Sequence, residues 1–437
     1  MSNFTSSNSP DAPVTIFFEE IIDTQEQQEA FRKEDEVIKM LNKTMVGEEE
    51  EEEEEEEVNM TGKNIQEIDL TSGAVVQKGD KKKKKKHKKK KHKNMGSGVC
   101  KIVAVSECVS TQASFANGPR GGSTLTSNDK GSLTLLGGAD RNGQHFALDS
   151  TTVFNLKTQK WEETTGWIVE GGPCPRSGHS TVYDKVGSAL YVFGGISPMK
   201  DDPGLATFHD DLWKFKNGVW VKIEGGGGPS ARHEHRASVV TRENGRFMCV
   251  WGGVDGGRTY DEMWMMNLER GDWELLKVEK GEKPQSREMH FMAATQGGGG
   301  GASTLYVTGG RHTETGEVLK DLWAFDFGSV VWTRLGNPPS KRCSHGGGLM
   351  LDEGFLMLFG GFDGGENMYD DFIVYDVKGE SGWSEMEVEA APVIRFSMGS
   401  CVVGERGKEL VLFGGVNPFN DLADVHVVSI ELEEKVE

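Results

Sequence analysis

Paired glycines recur six times in this chain: Gly137-Gly138, Gly194-Gly195, Gly252-Gly253, Gly309-Gly310, Gly360-Gly361 and Gly414-Gly415, at intervals of 51 to 58 residues. An apolar run leads into every pair, from Leu133-Thr-Leu-Leu in the first copy to Leu410-Val-Leu-Phe in the last. Runs this short, rich in branched and aromatic residues, read as buried strands, and a Gly pair after them permits a bend that residues with a Cβ resist. A Trp follows the first five pairs by 20 to 25 residues, at Trp161, Trp220, Trp273, Trp332 and Trp383. An Arg precedes each pair, at Arg120, Arg176, Arg232, Arg287, Arg342 and Arg395, and four of these open Arg-x-x-His, ending at His179, His235, His290 and His345. An acid opens the third apolar stretch of most copies: Asp211, Glu262, Asp321, Asp371 and Asp421. One such unit cannot bury its own faces, so six of them must stack on one another.

The pattern resembles the kelch repeat, an apolar run and Gly-Gly followed by spaced aromatics and a Trp, over roughly Val99 to Glu433. The resemblance implies an all-β fold, a six-bladed kelch-type β-propeller with one four-stranded antiparallel blade per copy. It implies an adaptor or scaffold more readily than an enzyme, and the fold alone does not choose among such roles. Domain boundaries follow: a disordered low-complexity N-terminal tail over 1–97, the propeller over 98–433 and a short C-terminal end over 434–437. The sixth copy has no Trp and supplies no fourth strand of its own. The β-prone stretch Val99 to Val109 precedes the first Arg at the right distance to complete the last blade and close the ring. An open propeller would present two strand edges for aggregation.

The tail is of a different composition. Glu48 to Glu57 are ten consecutive glutamates, and Lys81 to Lys93 contain eleven lysines with His87 and His92 between them. Like charges at this density repel and support no core. The tract that includes Lys81, Lys86, Lys88, Lys91 and Lys93 is a nuclear-import candidate. Its alternatives are a weak, salt-sensitive contact with polyanions, as in a nuclear or cytoskeletal scaffold, and a solvated charge run. Ile16, Phe17, Ile21, Ile22, Phe31, Ile38 and Leu41 fall near helical spacing among acids, as a partner-docking helix or as a linker. The 69 acids and 49 bases of the whole chain give −20, and the part after residue 98, with 47 acids and 32 bases, carries −15 of it.

Several classes of function are not expected. No run of 18 apolar residues suggests a membrane span, and Met1-Ser-Asn-Phe-Thr-Ser-Ser is no secretory leader. Six scattered cysteines without Cys-x-x-Cys suit a reducing cytoplasmic or nuclear location, and a monomer is expected. The His residues of Arg-x-x-His come from four different copies with no ligand partner nearby, so no metal or other cofactor is expected. Gly225 to Gly228 and Gly297 to Gly301 lack the ending of a P-loop, and no nucleophile elbow appears, so no catalytic residue is named and the chain is read as a non-enzyme.

The six arginines have two readings. Equivalent positions on a closed propeller form a ring on one face, and kelch adaptors are known to hold acidic peptides with arginines at this position. The loops after the glycine pairs would join that face, adding Arg141, Arg311, His312 and Phe362 to the candidate contacts for a protein or acidic peptide. Alternatively, the co-recurring Arg and acid pair with each other inside the blades. The readings separate on burial and stability.

Overall fold

A computed structural model describes residues 98–108, 118–128, 131–148, 152–163, 171–202, 205–295, 301–350, 354–378, 382–386, 388, 391–404 and 407–434. The charged tail, the lysine tract and the spaced apolar residues 16–41 lie outside the described residues. The described part is all-β and forms a six-bladed propeller: six four-stranded antiparallel sheets, with no α-helix among the described residues.

Strand order within a blade follows from the sequence. The strand Phe355–Phe359, for example, is apolar throughout and buried on both faces, because each blade is packed between two others. The second strand is therefore continuously apolar. The outermost strands carry polar residues between apolar ones, as in Val219–Lys222, where Trp220 is buried and Val219 and Val221 are exposed. Apolar clusters fill the spaces between blades. One joins Phe247, Trp251 and Met265 of blade 3 to Leu305, Phe325 and Trp332 of blade 4. Another joins Leu133, Leu135 and Phe154 of blade 1 to Val411, Phe413 and Val427 of blade 6, across the point where the ring closes.

The innermost strands Thr124–Ser127, Ser180–Asp184, Arg236–Arg242, Phe291–Ala294, Gly346–Met350 and Gly399–Val403 adjoin one another in a closed circle. They surround a central channel of about 1020 Å³, lined by Arg236, Glu234, hydroxyls such as Ser238 and Thr181, and the bare backbone of Gly347 and Gly348. The sixth sheet takes the N-terminal strand Gly98–Cys108 as its outer member, beside Asp421–Glu434. The register runs from Gly98 opposite Glu434 to Cys108 opposite Val425, with one irregularity between Ile102 and Ala104. Two short hairpins, Ile196–Pro198 with Ala206–Phe208 and Arg311–His312 with Glu317–Val318, extend from the loops of blades 2 and 4.

Candidate protein-interaction face

The first strand of every blade begins where the second ends in its glycine pair, so arginines, glycine pairs and the loops between second and third strands share one face. The six arginines lie beneath that face. Arg120, Arg176, Arg232, Arg287, Arg342 and Arg395 are 0–2 % exposed. In each, Nη1 donates to the carbonyl of the first glycine of its own blade, at 2.9 to 3.2 Å. In five of them Nε donates to the carbonyl two residues back. The acids complete the set. Arg176 binds both oxygens of Asp211 at 2.5 and 3.1 Å, Arg287 those of Asp321 at 2.6 and 2.8 Å, and Arg342 both of Asp371 at 3.0 Å. Arg232 reaches Glu262 at 3.0 Å. Arg120 lies with its guanidinium 3.5 Å over the Phe146 ring, and burial pulls its pKa down to about 10.

An exposed arginine ring is therefore not what the fold builds: five side chains are enclosed by backbone carbonyls and a carboxylate, and Arg120 by backbone carbonyls and the Phe146 ring. One acid also differs from the expected one. Arg395 pairs with Asp424, at 2.6 and 2.7 Å, and not with Asp421. A sequence signal for this exists. The pairing acid is followed two residues later by a ring N–H donor in four blades: Trp213 to Asp211, Trp264 to Glu262, Trp323 to Asp321 and His426 to Asp424.

The same arginines tie neighbouring blades together through their main chain. The N–H of the second glycine of each pair donates to the carbonyl of the Arg in the following blade, at 2.9 Å all six times, and Gly415 closes the circle onto Arg120. Gly309 shows why glycine is required: its φ is +62°, and a Cβ there would lie 2.3 Å from the Arg342 carbonyl oxygen. A second circle runs around the channel mouth. The residues two past each Arg, Gly122, Gly178, Glu234, Met289, Ser344 and Ser397, all have φ between +50° and +64°. Each donates its N–H to the carbonyl of its counterpart in the preceding blade, at 2.8 to 3.0 Å, and the chain of six bonds is closed. Four of the six are not glycine, so the closed circle of bonds offsets a backbone cost of roughly 1–2 kcal/mol per residue.

The histidines of Arg-x-x-His are buried wedges between blades. A Cβ on Gly252 would come within 2.6 Å of His290 Cε1. His235 Nε2 meets Ser180 Oγ at 2.8 Å, and His179 Nε2 meets Thr124 Oγ1 at 3.0 Å, both across blade boundaries. Burial, with the nearby guanidiniums adding to it, lowers His179 to about 3 and His235, His290 and His345 well below the usual histidine value. These rings are neutral in the fold, whereas the unfolded chain takes up a proton below about pH 6.5. Their contribution to stability is complete above that pH and is lost as pH falls toward their folded values. Asp211, Asp321 and Asp424, which burial pushes up and arginine and ring N–H bonds hold lower still, add a second loss below about pH 4. The denaturation midpoint is accordingly expected to fall between pH 7.5 and pH 5, above the range in which the arginine-paired aspartates titrate. A midpoint flat across that interval would contradict neutral, buried histidines.

What remains accessible on this face are the loops. Arg141 is 44 % exposed at its side chain and reaches from blade 1 to blade 6, its backbone N–H and Nε on Asp421 Oδ2 at 2.9 and 3.3 Å. Arg311 is half-buried and binds Glu288 Oε1 at 2.9 Å, where Thr313 also donates. His312 sits beside Thr315 in the blade 4 hairpin, and Phe362 stacks on Phe396 at 5.1 Å between centroids. These four residues belong to blades 1, 4 and 5 and do not form one cluster. Among the described residues no group of three or more His, Cys, Asp or Glu side chains is placed to hold a metal ion.

The family model of the KLHDC2/KLHL20/DRC7 kelch-repeats domain matches residues 122–345 and 300–435. Similar proteins include the leucine-zipper-like transcriptional regulator 1 homolog of Drosophila melanogaster, 26 % identical over 303 residues, which cover 65 % of this chain and 28 % of that protein. The host cell factor homolog hcf-1 of Caenorhabditis elegans is 31 % identical over 153 residues, covering 32 % of this chain and 19 % of that protein. Kelch domain-containing protein 10 of Rattus norvegicus is 32 % identical over 182 residues, covering 39 % and 40 %. The matched stretches thus span less than half the length of each of these relatives. With a family model that reaches from the first inner strand to the last strand of the closing blade, the chain belongs to the KLHDC2/KLHL20/DRC7 kelch-repeat family.

Proposed function

We propose that the propeller is a non-catalytic protein-recognition module that holds its partner on the face carrying the glycine pairs. The observation that carries this reading is the contrast between a constant frame and a varied surface. In all six blades the residue after the Arg forms a backbone bridge with the residue after the glycine pair. No residue pair repeats at that bridge: Gly121 with Ala139, Ser177 with Ile196, His233 with Val254, Glu288 with Arg311, Cys343 with Phe362 and Phe396 with Val416; Gly121, Val254, Glu288 and Cys343 are buried, and the other eight, at least one in each blade, are partly exposed. Two closed circles of backbone hydrogen bonds hold these positions rigid. A rigid platform with different chemistry in each blade suits one asymmetric protein surface and limits the ordering cost of binding. Kelch-family membership supports the same reading. Selectivity for acidic peptides rested on exposed arginines, and with all six guanidiniums enclosed that selectivity loses its basis.

The test uses the full chain as bait and charge changes at exposed tips. Asn142→Arg, Asp201→Arg, Arg258→Glu, Glu314→Arg, Glu366→Arg and Asn420→Arg place one change on each blade of this face, while Lys160→Glu, Glu269→Arg and Lys378→Glu lie on the opposite face. At least one variant of the first set is expected to weaken capture of the partner ten-fold or more, with the second set unaffected. Losses confined to the second set, or no loss in either, would remove the face as the binding surface.

A further inference from the structure

Blades 5 and 6 depart from the others at the bridge that follows the Arg. Blades 2 to 4 bring polar side chains to it, Ser177, His233 and the pair Glu288 with Arg311, whereas blade 5 sets Cys343 beside Phe362 and blade 6 sets Phe396 beside Val416. A second bridge in blade 5 places Met368 opposite Phe362. Residues opposite one another in an antiparallel pair carry their side chains on the same side. The Phe362 and Phe396 rings meet across the blade boundary, with centroids 5.1 Å apart. Met368, Phe362, Phe396 and Val416 therefore form one apolar strip that crosses from blade 5 to blade 6 on the face of the glycine pairs. All four side chains are partly exposed, and none belongs to the apolar clusters that fill the spaces between blades.

The charges around the strip are one-sided. The blade 5 loop from Phe362 to Asp371 carries four acids and no base. Asp371 is taken up by Arg342, and the nearby pairs Arg395–Asp424 and Arg311–Glu288 also cancel. Asp363 accepts from the Gly365 and Asn367 N–H groups and lies in the field of Lys341. Glu366 and Asp370 are exposed and make no ion pair among the described residues, so their oxygens are open to a ligand. On the blade 6 side, Asn417 to Asn420 carry no charge. Three carboxylates against Lys341 leave the border of the strip negative.

A single exposed apolar residue is ordinary on a protein surface, but a contiguous strip marks a contact surface. Aromatic rings on a fixed backbone bury much area at small ordering cost and are common anchors of protein interfaces. We propose that this strip is the anchor point of the recognition face, and that it takes a partner segment in which a large apolar side chain stands next to Lys or Arg. The apolar group packs on Phe362 and Phe396, and the cation meets the exposed carboxylates of Glu366 and Asp370. The proposal rests on the reading of this face as the recognition surface and names the chemistry of the partner segment.

The probe is a displayed library of random heptapeptides, panned on the full chain and in parallel on full-length Phe396→Ala. Sequences selected only by the wild type are expected to carry a Leu, Met, Phe or Trp beside Lys or Arg. The leading peptide, made synthetically with a fluorophore, should bind ten-fold or more weakly to Phe396→Ala and to Met368→Ser. It should bind more weakly to Glu366→Arg as well, and more weakly at high salt. Phe396 and Met368 lie outside the cores between blades, so their variants should melt close to the wild type, and Met368→Ser decides the matter if Phe396→Ala does not fold. Acidic or wholly polar consensus sequences, no enrichment, or wild-type affinity in both apolar variants would each overturn the anchor. Peptides that bind Phe396→Ala normally but are lost with Asn142→Arg or Arg258→Glu would leave the face reading standing and remove the strip. Loss only with Lys160→Glu, Glu269→Arg or Lys378→Glu would remove both.

Discussion

Removing residues 1–112 is expected to lower the melting temperature by about 10 °C or more, while removing residues 1–96 leaves it within about 2 °C. The two truncations differ by the strand Gly98–Cys108. That strand pairs with Asp421–Glu434 along nearly its whole length. Without it, the last strand becomes a long open edge, which is both unpaired and prone to associate with other chains. The damage does not stay in blade 6. Val411, Phe413, Val425 and Val427 of that blade share a core with Leu125, Leu135 and Phe154 of blade 1. The two backbone circles also pass through this junction, at Gly415 onto Arg120 and at Gly122 onto Ser397. Loosening one blade therefore loosens a ring, and unfolding should remain a single transition moved to lower temperature. Equal melting of the two truncations would show that the strand is dispensable and that closure comes from the inner strands alone.

The fold was legible because its periodic parts are side-chain or glycine requirements at fixed spacing. Gly309 must lack a Cβ, Arg287 must reach it, and Trp332 must cover Phe325; each requirement leaves a letter in the sequence. The circle around the channel mouth left none, since it is made by backbone groups of Gly122, Gly178, Glu234, Met289, Ser344 and Ser397, whose side chains have nothing in common. Whether the arginines faced solvent or each other was also not decided by spacing. Both readings accommodate an Arg in every copy and an acid in most, and only the carbonyls of Gly137, Gly194 and their counterparts, arranged by the bend itself, show that the guanidiniums are enclosed. In blade 6 the first acid of the third strand was a natural choice for the pair, and the three-residue slip to Asp424 was hidden because its ring partner is His426 and not a Trp. The contact of Arg141 with Asp421 at the seam was beyond reach of sequence reasoning, being formed by loops about 280 residues apart that the closure of the ring brings together.

Arg287→Ala should cost about 3–5 kcal/mol of stability, the usual consequence of removing one partner of a buried ion pair. The reason lies in what it leaves behind. Arg287 is fully buried and donates to Gln285 O at 2.9 Å, Gly309 O at 2.9 Å and both oxygens of Asp321. Its removal takes a donor from a bend carbonyl and leaves without a countercharge a carboxylate that is only 13 % exposed at its side chain and keeps just the Trp323 ring N–H bond. Burial pushes Asp321 up, and Arg287 more than offsets it, so without the guanidinium the carboxyl titrates at higher pH and the destabilisation is greatest near neutrality. Arg287→Lys should recover little, because one ammonium group cannot span two carbonyls and a bidentate carboxylate. The double variant Arg287→Ala with Asp321→Asn should recover part of the loss, because the unpaired charge is gone. Partner capture is expected to fall only as far as the folded fraction falls. Intact melting of Arg287→Ala together with abolished capture would reverse the assignment, since it would mean that this arginine leaves its carbonyls to meet the partner and that the enclosed arrangement is only the unliganded state of the face.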